Sequence, residues 1–145
     1  MDRYKKYREK NSKRRAIKAL EWRLLNPEKV EKFQQERKIR VLTKYGPNGT
    51  MQCSWLGCSV IDPDMLSIDH VNNDGAKDRK SIGTGNSLYR YLDKNSPRGF
   101  QTLCHNHQWK KEFDRRRNLR IERALEKAKS LGLNLKSDSG AKPLT

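Results

Sequence analysis

A chain of 145 residues, 33% hydrophobic and 34% charged, has room for one domain but little apolar material for a large core. Its net charge of +16 suits a protein that meets polyanions. It has no apolar stretch of membrane-spanning length and no secretory h-region, so a chain that is neither membrane-spanning nor secreted is expected. Three cysteines, an odd number, point away from a disulfide framework and toward thiol metal ligands in a reducing interior. A core this thin calls for a staple such as a metal or a partner.

The charge is unevenly spread. Residues 1–46 carry sixteen Lys/Arg against six Asp/Glu, residues 47–104 six of each, and residues 105–145 eleven against five. Two basic arms therefore flank a balanced centre. Simple coating of a polyanion does not need that contrast; a centre that gathers a cation beside a phosphate does.

In chain order, residues 3–25 predict a helix with Ala16, Ile17, Leu20 and Leu24 at helical spacing. Asn26-Pro27 predicts a stop and restart, with Asn26 as N-cap and Pro27 at the first helical position. A second basic helix then runs to about Lys44. Gly46-Pro47-Asn48-Gly49 is a break and the expected module boundary. A strand over 65–70 ends on Asp69-His70, an acid and an imidazole side by side, followed by the turn-forming Val71–Gly75. A long polar excursion over 72–99 contains one helical turn near Ser87–Asp93. A second strand over 100–103 leads to Cys104. A helix from about His105 carries Trp109 and Phe113 as an i,i+4 pair, then Ile121, Ala124, Leu125 and Ala128, and stops at Leu131-Gly132. The tail after Lys136 is expected to be disordered. The divisions are thus a basic helical arm (1–46), a compact unit (47–118), a helical extension (119–136) and a tail (137–145).

Cys53-x4-Cys58 and Cys104-x2-His107 form two short-spaced ligand pairs from separate segments, the arrangement of a tetrahedral structural zinc site. His105 is the rival fourth ligand, but Cys-x-His is poor geometry for neighbouring side chains, and His107 is preferred. Such a zinc would clamp the loop after Gly49 to the start of the last helix.

The succession Leu66-Ser67-Ile68-Asp69-His70-Val71-Asn72-Asn73-Asp74-Gly75, then Arg79-Lys80, then Tyr89-Arg90-Tyr91-Leu92, then Gly99 to Trp109 resembles the HNH endonucleases, closest to the zinc-bound type frequent in phages and mobile introns. The likeness covers roughly residues 40–115. It implies a small α+β protein with a ββα-metal core: two antiparallel strands, an Ω-like loop and a helix around one divalent cation. A structural zinc and flanking basic helices complete the expected fold. It further implies that His70 is the general base and Asp69 the carboxylate ligand of a Mg²⁺ or Mn²⁺ ion, with Gln108 the second protein ligand. Gln108 stands where the family usually has His or Asn. The middle Asn that usually orients the histidine falls near Gly99 and is absent, leaving Gln101, Asn72 or Asn73 to replace it. Phosphate contacts are assigned to Arg79, Lys80, Arg90, Lys110 and Lys111; Trp55, Tyr89, Tyr91 and Trp109 are assigned to the core rather than to base stacking.

The function implied is metal-dependent hydrolysis of DNA, by nicking or double-strand cleavage, in a homing or phage-encoded role. Double-stranded DNA is the expected partner and RNA a possible one. The location expected is the cytoplasm of a bacterial or phage-infected cell. The competing reading is a zinc-containing nucleic-acid-binding module with weak or no turnover.

Overall fold

The computed structural model describes residues 3–133; the expected tail over 137–145 lies outside them. The described elements are α1 (Arg3–Leu25), α2 (Pro27–Tyr45), β1 (Leu66–His70), α3 (Gly75–Ser81), α4 (Asn86–Asn95), β2 (Phe100–Cys104) and α5 (His105–Ser130), with a short 3₁₀ turn at Pro47–Gly49. The molecule is a small, mostly helical α+β protein with a two-stranded sheet. No described helix is long and apolar enough to cross a membrane.

Pro27 opens α2, where its fixed φ fits and its missing N–H costs nothing. Asn26 occupies the expected N-cap position but makes no side-chain cap bond there. Its Nδ2 instead donates back to the Trp22 carbonyl at 2.8 Å. The apolar residues of α1 are exposed, Ile17, Leu20 and Leu24 among them. The far end of α2 behaves in the opposite way: Val41 and Leu42 are fully buried.

Leu42, Cys53, Leu66, Leu103 and Cys104 form one buried cluster, with Trp55, Ile68 and Tyr89 packed around it. α2 lies against both strands and against α4, which adds the buried Leu92. Thr102 is fully buried, and its hydroxyl donates to the Leu42 carbonyl at 2.8 Å, tying the helix to the sheet. At Gly46–Gly49 the chain turns, and Leu42 before it and Cys53 after it share one buried cluster. The chain has two compact units, Met1–Cys104 and His105–Thr145.

β1 and β2 pair antiparallel with Leu66 opposite Cys104, Asp69 opposite Gln101 and His70 opposite Phe100. Between them the expected polar excursion holds two helices: α3, which was not expected, and α4, which covers and extends the expected turn near Ser87–Asp93. α3 buries nothing and shows no apolar stripe in sequence, whereas α4 carries Leu88, Tyr89, Tyr91 and Leu92 along one face and buries Leu92. α4 is secured by charge as well: Arg40 on α2 donates to Asp93 at 2.8 Å, and Arg37 lies 3.8 Å from the same carboxylate. These cations hold the Asp93 carboxyl below its usual range, the hydrogen bond from Arg40 contributing most.

α5, taken by itself, is one continuous helix with no buried residue. It closes with the Leu133 N–H on the Ala128 carbonyl at 3.0 Å and the Gly132 N–H on the Lys129 carbonyl at 3.0 Å. This is a Schellman closure, for which Gly132 supplies the left-handed residue (φ 70°).

Candidate metal centre and hairpin site

Cys53, Cys58, Cys104 and His107 offer three sulfurs and an imidazole nitrogen that all lie within 4.8 Å of one another. Backbone bonds build this convergence. The Cys53 N–H donates to the Val60 carbonyl at 3.0 Å and the Cys58 N–H to the Trp55 carbonyl at 3.0 Å, folding the x4 spacing back on itself. The Ser54 N–H donates to Thr102 at 2.8 Å, laying this loop along β2. The Cys104 N–H then donates to the Cys53 sulfur at 3.3 Å. His107 stands one helical turn along from Cys104, in the first turn of α5.

Burial pushes the Cys53 thiol up to about 11, whereas the Val60 N–H draws the Cys58 thiol below its ordinary value. A cation among these sulfurs would offset the cost of a buried thiolate at Cys53, since metal binding displaces the thiol proton. The donor set, soft sulfur with one borderline nitrogen, fits a metal ion such as zinc.

The second constellation is the end of the hairpin. Adjacent residues on a strand point to opposite faces, and directly opposed residues share one. Asp69 therefore sides with Gln101, and His70 with Phe100. Gln101 Nε2 donates to Asp69 Oδ2 at 2.9 Å. The His70 ring rests on Phe100, with centroids 4.6 Å apart, and Phe100 meets Tyr45 edge-on at 5.9 Å. The Tyr45 hydroxyl donates to the Pro97 carbonyl at 2.8 Å. The imidazole is thus backed by a stack of rings that reaches the end of α2.

On its other side, His70 Nε2 lies 3.0 Å from Asp78 Oδ2 on α3. A carboxylate accepts, so Nε2 is the nitrogen that donates in this pair. Gly75, the first residue of α3, is where the helix backbone meets this ring: an added Cβ would stand 2.8 Å from Nδ1 and 3.0 Å from Cε1. The turn between strand and helix closes with the Asn73 N–H on the His70 carbonyl at 3.1 Å.

Of the three side chains expected to orient His70, Gln101 serves Asp69 instead, and the role falls to Asp78. Asp78 sits in Lys77-Asp78-Arg79-Lys80, which reads as surface charge; a single acid among cations eight residues after a histidine is a faint signal. Arg79, Lys80 and Arg90 are exposed on α3 and α4, and Lys110 is exposed on α5 with Lys111 half-buried. Gln108 lies in the first turn of α5, next to His107. Trp55 and Tyr89 pack on the core as expected. Trp109 does not: it is 63% exposed, because α5 buries no residue.

The fold and these residues define a small α+β protein with a Cys3His group able to hold a metal ion. Compared with protein-family models, curated proteins and solved structures, the chain matches none.

Proposed function

We propose that this protein is a metal-dependent DNA endonuclease of the HNH type, with a structural zinc on Cys53, Cys58, Cys104 and His107. The observation that carries this reading is the independent fixing of two adjacent groups at one strand end: Asp69 by Gln101 at 2.9 Å, and His70 by Asp78 at 3.0 Å. A salt bridge made only for stability would not need a histidine held by a carboxylate, a ring stack and a glycine at once. Four sulfur and nitrogen ligands leave no open position, so the zinc would be structural and the chemistry would lie at the hairpin.

In this reading Nδ1 of His70 takes a proton from water as the water oxygen bonds to phosphorus. The bond to the leaving sugar oxygen breaks, and that oxygen takes a proton from solvent. Asp78 keeps the ring in its tautomer and balances the imidazolium that forms, a positioning part. Asp69 and Gln108 would hold a Mg²⁺ or Mn²⁺ ion, which supplies charge neutralisation at the phosphate and leaving oxygen when bound. So few protein ligands suit Mg²⁺, which normally completes its shell with water and substrate phosphate. Arg79, Lys80, Arg90, Lys110 and Lys111 would contact the backbone of duplex DNA. Lys110 pairs with Asp114 at 3.1 Å, an exposed i,i+4 pair weak enough to yield to a phosphate.

Supercoiled plasmid incubated with Mg²⁺ or Mn²⁺ should be nicked. His70→Ala should slow nicking by about a hundredfold or more. Equal nicking by the variant, or none by the native chain on any DNA tried, overturns the catalytic reading.

One feature favours the second reading, a zinc module that binds nucleic acid without turnover: Gln108 is a methylene longer than Asn. A gain of cleavage in Gln108→Asn would mark Gln108 as a weakening residue, while unchanged cleavage would clear it.

A further inference from the structure

Trp109 and Phe113 are 63% and 56% exposed and stack on each other, with centroids 5.9 Å apart and planes at 30°. Large aromatic rings in water are costly to leave uncovered, and a stacked pair of them is a flat apolar platform. Helical periodicity continues the same face through Arg116 and Arg120, and these residues with Arg117 line one concave patch beside the two rings. Arg116 is paired with Glu112 at 2.7 Å. Arg117 and Arg120 enter no ion pair among the described residues.

We infer that this face of α5 binds unpaired nucleic acid: a base stacks on the aromatic pair, and the arginines hold the phosphates beside it. An aromatic platform along a cationic track is the arrangement single strands require, because every base has a π-face and every linkage a charge. The rings already lie on one another, so a base caps the pair and does not enter between them. A paired base in a duplex has its faces covered and gains nothing here. A second copy of the chain is disfavoured by charge, since α5 carries nine Lys/Arg against four Asp/Glu and two such faces would repel. The inference deepens the nucleic-acid reading above, placing an unpaired stretch of the substrate on α5.

The test compares a thymidine 15-mer with an abasic 15-mer of equal charge, bound to the full zinc-loaded chain without added Mg²⁺ or Mn²⁺. The native chain should bind the thymidine strand roughly tenfold more tightly than the abasic one. Trp109→Ala/Phe113→Ala should abolish that preference while leaving abasic binding and zinc content unchanged, and Trp109→Tyr should keep it. Equal binding of both strands by the native chain, or a preference that survives the double variant, overturns the inference. So does sedimentation showing that the native chain self-associates and that the double variant does not. Plasmid nicking is scored separately: a strand preference without nicking sinks only the nuclease reading, and nicking without the preference sinks only this one.

Discussion

The end of the hairpin and the helix α5 spend their residues in opposite ways. Around β1 and β2, Leu42, Leu66 and Leu103 are at most 1% exposed, and Asp69 and His70 are each held by a named partner. Along α5 no residue is buried, and side chains pair mainly with their own helix, as Glu112 does with Arg115 and Arg116 at 2.7 Å. Those cations hold the Glu112 carboxyl down at about 2, the hydrogen bond from Arg115 contributing most. Tertiary packing thus concentrates around the hairpin, while α5 is sustained by local pairs and presents charge. Under the proposed function the first would supply the fixed groups that hydrolysis needs and the second the exposed ones that a polyanion meets.

The largest expected effect would break the comparison at its staple. Cys104→Ser should lose one bound zinc by metal analysis and the cooperative unfolding transition with it, because metal binding and folding are one equilibrium in small stapled cores. Unchanged zinc would refute the Cys3His site. Next, Leu66→Ala should cost about 2–5 kcal/mol in denaturant unfolding, whereas Leu24→Ala on exposed α1 should stay within about 0.5 kcal/mol. Equal costs would erase the distinction between packed and presented regions. The smallest effect concerns Asp93. Its carboxyl is depressed in the folded state, so its contribution is present above the ordinary carboxylate range and fades as pH falls through the depressed value. Asp93→Asn should therefore lower the melting temperature slightly at pH 7, and by less as the pH is lowered, measured by calorimetry across the acid range.

What could be read in the sequence was what local pattern encodes. Pro27, the Cys-x4-Cys and Cys-x2-His pairs, and the apolar runs into Asp69 and up to Cys104 each act within a few residues, and all were legible. The burial of Val41-Leu42 was not, because two apolar residues in a basic helix carry no stripe. α3 was missed because it buries no residue and so carries no apolar signal, whereas α4 was legible as the turn near Ser87–Asp93 and only its full extent, Asn86–Asn95, was not. Asp78 was hidden by its charged neighbours, and its part depends on α3 folding back over His70. Trp109 was misplaced because aromatic spacing on a helix reads as core whether or not anything covers it.

The central claim is that the hairpin end is a hydrolytic site in which Asp78 holds His70. Single-turnover plasmid nicking with Mg²⁺ tests it most directly, comparing the native chain with Asp78→Asn and Asp78→Glu at matched zinc content and melting temperature. Asp78→Asn should cut the rate by about 10- to 100-fold, the usual effect of removing a supporting hydrogen-bond partner, and Asp78→Glu should recover part of it. Nicking by Asp78→Asn at the native rate would contradict the account.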